Sequence, residues 1–209
     1  MTRVTALWAR AGLVALVFSG VLAACAGARP GDLDTPVAAG HTRFVSDDYG
    51  IVVVYPDRVH AANAFQPDYF LGSRWNSTAD DDTAGSPLLA LTLPGSNKLT
   101  RGVMRVGASD DARAVDACER SADGTRVTTQ RIGGVRFTRV DSADAAMNHY
   151  SRMQRYRAVH DGRCVAIDLI VTGVNADVYA AEDRPRQPFT PDQAMNRLHA
   201  LLDGVFFTR

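Results

Sequence analysis

Polar and apolar positions alternate most clearly in "NHYSRMQRYRAVHDGRCVAIDLIVTG", residues 148–173. Asp161-Gly162 at its middle is the strongest short-range hairpin signal, because both residues tolerate the positive φ of a two-residue turn. That turn sets the register: His160 faces Arg163, Val159 faces Cys164, Tyr156 faces Ile167, and Arg155 faces Asp168. One face carries Tyr156, Val165, Ile167, Leu169 and Val171 and is the core face. The other carries Val159, Cys164, Ala166, Asp168 and Ile170. It is half apolar, so another element must cover it.

The same reading places the other elements. "RFVSDDYGIVVVYP", 43–56, gives two short strands about an Asp-Asp-Tyr-Gly turn, with Pro56 ending the second. "LLALTLP", 88–94, is a continuous apolar run suited to a central strand, and "RGVMRVGA", 101–108, is a further strand. "RVTTQRIGGVRFTRV", 126–140, is a hairpin about Gly133-Gly134. A helix is expected over 109–124, with Ser109 as N-cap, Asp110 and Asp111 at the positive end of its dipole, and Gly124 closing it. Ala112, Val115 and Cys118 form its apolar face. The last helix starts at Thr190 and Gln193, a capping box with Pro191 at the first helical position. Met195, Leu198 and Leu202 line one side, with Leu201 beside them. Gly204 stops it, and "VFFTR" is a last short strand. Residues 57–87 have no clean period, although Phe65, Tyr69, Phe70 and Trp75 suggest that part of the segment packs.

Interspersed strands and helices with hairpins throughout describe an α+β domain with a mostly antiparallel sheet. The order "YGIVVVYPDRV", "IGGVRFTRV", "YRAVHDGRCVAIDLIV" and a terminal helix running into "GVFF" is similar to that of PsbP-like domains. The resemblance covers most of 43–209. It implies helices packed on both faces of the sheet, and it carries no activity with it.

The N-terminus is patterned differently. Residues 1–10 contain Arg3 and Arg10 and no acid, 11–22 contain no charge, and small residues lead to Cys25. A basic region, an apolar region and a small-residue exit are the layout of a secretory signal. The uncharged stretch from Ala11 to Ala28 just reaches the length of a membrane anchor, which is the alternative. "LAAC", 22–25, resembles the lipobox of bacterial lipoproteins. That resemblance implies a signal peptide at 1–24, cleavage before Cys25, and a diacylglyceryl group on the Cys25 sulfur. Ala26 rather than Asp after the cysteine implies an outer-membrane destination facing the periplasm. Residues 25–42 then form a lipidated flexible tether rich in Gly, Ala and Pro, and 43–209 a single globular domain. The 17 residues 26–42 span roughly 20–25 Å as a flexible coil.

Charge and cysteine content narrow the function. The chain has 23 basic and 23 acidic residues in 209, and loss of Arg3 and Arg10 with the leader leaves a small negative balance. No basic field points to nucleic acid. With Cys25 assigned to lipid, Cys118 and Cys164 form an even pair in a disulfide-permissive compartment. A disulfide between them would attach the 109–120 helix to the second hairpin face. A reactive thiol or two unpaired buried cysteines are the alternatives, and no C-x-x-C is present.

Catalytic and metal motifs are not found. His41, His60, His149, His160 and His199 show no metal-ligand spacing and read as surface histidines. Ser86 and Ser96 follow glycines in loops, without a nucleophile elbow. Asp80, Asp81 and Asp82 lack a calcium-loop spacing and read as a solvated acidic loop. Asp168 is a lone acid in an apolar strand, for which an ion pair with Arg155 is the plainer account and a shifted functional carboxylate the sharper one. "NST" at 76–78 matches a glycosylation acceptor of no relevance to a bacterial lipoprotein. No cofactor is expected. The expected function is that of a membrane-anchored, non-catalytic envelope lipoprotein, an accessory or binding module that docks an envelope protein or wall component. A periplasmic hydrolase whose scattered Ser, His and Asp converge in the fold is the alternative.

Overall fold

The computed structural model describes residues 36–79, 82–121 and 126–208. The leader 1–24, Cys25, residues 26–35 of the tether, Asp80, Asp81 and Gly124 lie outside the described residues. Ten strands and two α-helices follow in order: β1 (His41–Ser46), β2 (Ile51–Pro56), β3 (His60–Ala62), β4 (Ser86–Thr92), β5 (Arg101–Ser109), α1 (Ala112–Ala117), β6 (Val127–Ile132), β7 (Val135–Ala146), β8 (His149–His160), β9 (Arg163–Val174), α2 (Pro191–Leu202) and β10 (Val205–Phe207). Among the described residues no helix is long and apolar enough to cross a membrane.

Two antiparallel sheets result. The larger has the order β3-β4-β5-β9-β8-β7-β6, and the smaller the order β1-β2-β10. Three tight turns build the long ladder. Gly133-Gly134, Met147-Asn148 and Asp161-Gly162 all hold positive φ at both central residues, the conformation that matches strand twist. The β8–β9 register is the expected one throughout, including Tyr156 opposite Ile167 and Arg155 opposite Asp168. β9 is the central strand. β4, expected to be central, is second from the edge, flanked by the three-residue β3.

The core lies on one face of the large sheet. Tyr156, Ile167, Leu169, Met104 and Phe137 point into it from the sheet, Leu198, Leu201 and Ala194 from α2, and Ile51, Val53 and Val205 from the small sheet. α2 starts as its capping box requires: the Thr190 hydroxyl accepts from Gln193 N–H and the Gln193 side chain accepts from Thr190 N–H. His41 and Thr42, read as the end of the tether, pair with Pro56 and Tyr55 in β1, and the Thr42 hydroxyl donates to Asp57 at 2.7 Å.

The expected α+β architecture with helices on both faces is corrected. Of the described residues 46% are strand and 13% helix, and the two helices do not form layers on both faces of the sheet. The second face is covered mainly by irregular chain between β3 and β4, through Phe65, Leu71 and Trp75, all buried. α1 adds six residues instead of the expected sixteen. The ladder explains the late start: Ser109 pairs with Cys164 as the last residue of β5. Asp111, not Ser109, is therefore the N-cap, accepting from Arg113 N–H and Ala114 N–H at 2.8 and 3.2 Å.

Candidate functional site

A polar layer lies between the second face of the sheet and the segment that covers it. Asp168 on β9 is 1% exposed. Arg155 on β8 stands directly opposite on one side, and Arg105 on β5 on the other. The expected Arg155–Asp168 register holds, but the ion pair goes to Arg157, whose Nη1 lies 2.7 Å from Asp168 Oδ1. Diagonal neighbours on a sheet are within reach of long side chains. Arg157 faces Ala166 across the ladder, and the small methyl leaves its guanidinium room to swing toward the carboxylate. The second carboxylate oxygen, Oδ2, accepts from Ser77 N–H at 2.8 Å.

Arg105 turns away from Asp168 and donates to the Gly72 and Gln66 carbonyls at 2.9 and 2.5 Å. Its guanidinium also stacks over the Phe65 ring at 5.0 Å. Burial lowers its pKa, while the Asp68 and Asp168 carboxylates work in the opposite direction. The covering loop is thus held by charged hydrogen bonds, which are stronger than neutral ones. The "NST" tripeptide forms a turn inside this layer. Asn76 Oδ1 accepts from Thr78 N–H at 2.7 Å, which presents Ser77 N–H to Asp168.

Two glycines let this loop lie flat on the sheet. A Cβ at Gly107 would stand 1.9 Å from the Trp75 carbonyl oxygen, and one at Gly85 would stand 2.4–2.6 Å from the Trp75 indole. Trp75 is consequently buried, and its indole Nε1 has no hydrogen-bond partner. On the other side of the layer the Cys118–Cys164 disulfide, with a Cα–Cα distance of 5.5 Å, fixes α1 to β9. The pairing expected from cysteine counting is the one found.

Between loop, α1 and sheet lies a cavity of about 560 Å³. Arg155, Arg157 and Thr138 form the charged and polar part of its floor. Val140, Ala114, Ala117, Trp75 and the disulfide supply apolar wall. Arg157 is fully engaged: besides Asp168 it donates to the Tyr156 carbonyl at 2.9 Å. Arg155 is half-buried and makes no direct hydrogen bond or ion pair among the described residues. Burial pulls its pKa down, the Asp168 carboxylate acts against this, and the Arg157 guanidinium adds to the lowering. Among the described residues this layer sets Arg105, Arg155 and Arg157 around Asp168, with Asp68 also acting on Arg105, and the Arg155 guanidinium faces the cavity without a direct partner. Such an arrangement is suited to holding an anion.

The other residues singled out in the sequence are dispersed. His41 Nδ1 lies 3.3 Å from the Ala39 carbonyl. His149 stacks on Tyr69 with ring centroids 4.2 Å apart, and His160 packs edge-on against Phe207. His199 is not a solvated surface histidine. It is half-buried, with Nε2 2.5 Å from Gln154 Oε1. Ser86 Oγ is 3.0 Å from the Tyr49 hydroxyl, and Ser96 Oγ accepts from Gly102 N–H. Asp82 pairs with Arg113 at 2.7 Å. Among the described residues no group of three metal-ligating side chains occurs.

Sequence reasoning missed Arg157, Arg105, Ser77 and Trp75 as members of one cluster. The alternation "RYR" at 155–157 does place both arginines on the second face. Comparison with models of protein families and with curated proteins gives no match.

Proposed function

We propose that this protein is a lipid-anchored lipoprotein of the bacterial cell envelope, held at the outer membrane and facing the periplasm, whose β-rich domain is a non-catalytic binding module. The observation that carries the anchor is the lipobox-like "LAAC" ending at Cys25 behind an uncharged run at 11–22 and a basic start. The Cys118–Cys164 disulfide supports an oxidising compartment. The cavity on the second face, with its unclaimed guanidinium, supports binding as the task of the domain.

An acyl anchor of this kind needs two or more chains for stable attachment, and a diacylglyceryl thioether supplies two. The tether gives the domain a reach of roughly 20 Å from the bilayer, so the molecule would meet a partner close to the membrane surface. The test is metabolic labelling with a fatty acid, combined with membrane fractionation. The wild type takes up label and sediments with membranes. The Cys25→Ser variant takes up none and keeps its domain folded, because the substitution touches none of the core residues described above. Equal labelling of the two would overturn the proposal in favour of a membrane-spanning leader.

A further inference from the structure

We infer that the second-face cavity binds a small organic carboxylate, with the anionic head on the Arg155 guanidinium and an apolar body against Val140, Ala114 and the disulfide. The inference rests on the binding-module reading above and names its ligand class.

The charge balance is the first argument. Both oxygens of Asp168 are taken, Oδ1 by Arg157 and Oδ2 by Ser77 N–H. Arg155 stands opposite Asp168 in the ladder but receives no oxygen from it. The acid lining the cavity wall, Glu119, accepts from Val159 N–H, and the neighbouring Arg120 is paired with Asp116. Among the described residues, then, no carboxylate satisfies Arg155. The half-buried Arg155 side chain lines the cavity, and its guanidinium offers five donors in a planar fork that matches the two oxygens of a carboxylate.

The shape is the second argument. A volume of about 560 Å³ falls in the range of small-molecule sites, and its lining sets an apolar wall beside polar and charged groups. One unclaimed cation beside an apolar wall suits a single negative charge carried on a hydrocarbon frame. A bare phosphate would leave the wall of Val140, Ala114 and Trp75 without contact and would bring a second charge that no free cation meets.

The chain has two tryptophans, Trp8 and Trp75, so the full chain carrying Trp8→Phe reports on the cavity through Trp75 alone. Cyclohexanecarboxylate, the neutral cyclohexanecarboxamide and inorganic phosphate are titrated separately in detergent solution. The carboxylate is expected to give a saturable change in Trp75 emission, with the amide and phosphate at least tenfold weaker. Arg155→Gln should weaken the carboxylate at least tenfold, whereas Arg58→Gln, at an exposed position away from the cavity, should leave it unchanged. Arg155→Lys keeps the charge and loses the fork. It should bind several-fold more weakly, and it serves where the glutamine variant does not fold. Absence of saturable binding, equal binding of amide or phosphate, or undiminished binding by the Arg155 variants would each overturn the inference. Acylation at Cys25 does not depend on Arg155, so the anchor and the ligand fail in separate experiments.

Discussion

Asp168→Asn removes one negative charge from a site enclosed by three arginines and keeps the shape of the side chain. The asparagine keeps one oxygen to accept from Ser77 N–H and turns an NH2 toward Arg157, so the change removes the charge and the Arg157 hydrogen bond together. Asp168 is 1% exposed and the Arg157 side chain 10%, which leaves little solvent to screen the pair. At an effective dielectric of about 20 and a charge separation of about 4 Å, their attraction is about 4 kcal/mol. Removing one partner of a buried pair costs about 3–5 kcal/mol, because the other charge is left uncompensated. In a domain of this size that corresponds to a fall in Tm of about 10 °C. Thermal and urea unfolding of the oxidised protein at pH 7 should show the loss, with a red shift of Trp75 emission as the 75–78 turn loosens. A double variant, Arg157→Met with Asp168→Leu, should be less destabilised than Asp168→Asn, since it deletes both charges of the pair. A loss below about 1 kcal/mol for Asp168→Asn would show that the carboxylate does not hold the layer together.

Two further outcomes follow from the same geometry. Replacing Cys118 and Cys164 together by alanine should lower stability by up to about 4 kcal/mol, the loop-closure entropy of a bridge spanning 46 residues. Urea midpoints of the two proteins check this, and a difference below about 1 kcal/mol would count against the entropic account. His199 has its pKa lowered by burial first and by Arg139 second, with Asp141 opposing. The unfolded chain then binds the proton more readily, so stability is full above about pH 6.5 and is lost as the pH falls from there toward the lower folded value. The fall in urea midpoint between pH 7.5 and 5.5 should be smaller in His199→Gln than in the wild type, and equal falls would refute the assignment.

What could be read from the sequence was whatever local chemistry decides. Asp161-Gly162 and Gly133-Gly134 announce their turns because glycine accepts positive φ without strain. Thr190 and Gln193 announce a helix start because they satisfy its orphan amides reciprocally. The register of the last hairpin then follows by counting. Met147-Asn148 has the same turn geometry, yet methionine is no turn signal, so β7 was expected to end at 140 and runs to Ala146. The ladder decides which residues stand opposite one another and leaves open which rotamer reaches which oxygen. For that reason Arg155 was expected in the ion pair and Arg157 occupies it. The segment between β3 and β4 carries no period because its order comes from sheet side chains. Arg105 binds its carbonyls and Asp168 binds Ser77 N–H, and these contacts are invisible until the sheet exists.

The two attachments of the second-face cover belong to one strand. Cys164 and Asp168 are four residues apart on β9, and the period of two puts both on the face opposite the core. α1 is too short to be stable alone. The loop that carries Trp75 touches the sheet through carbonyls, an amide, a tryptophan backbone laid on Gly107 and the buried side chains of Phe65 and Trp75. Neither element would keep its place by propensity, so the disulfide fixes one and the Asp168 layer fixes the other. The core on the opposite face, built from Tyr156, Ile167, Leu169 and α2, is a separate cluster of buried side chains. A carboxylate seated on Arg155 would touch α1, the loop and β8 at once, because all three line the cavity, and so would tie the cover to the sheet at a third point.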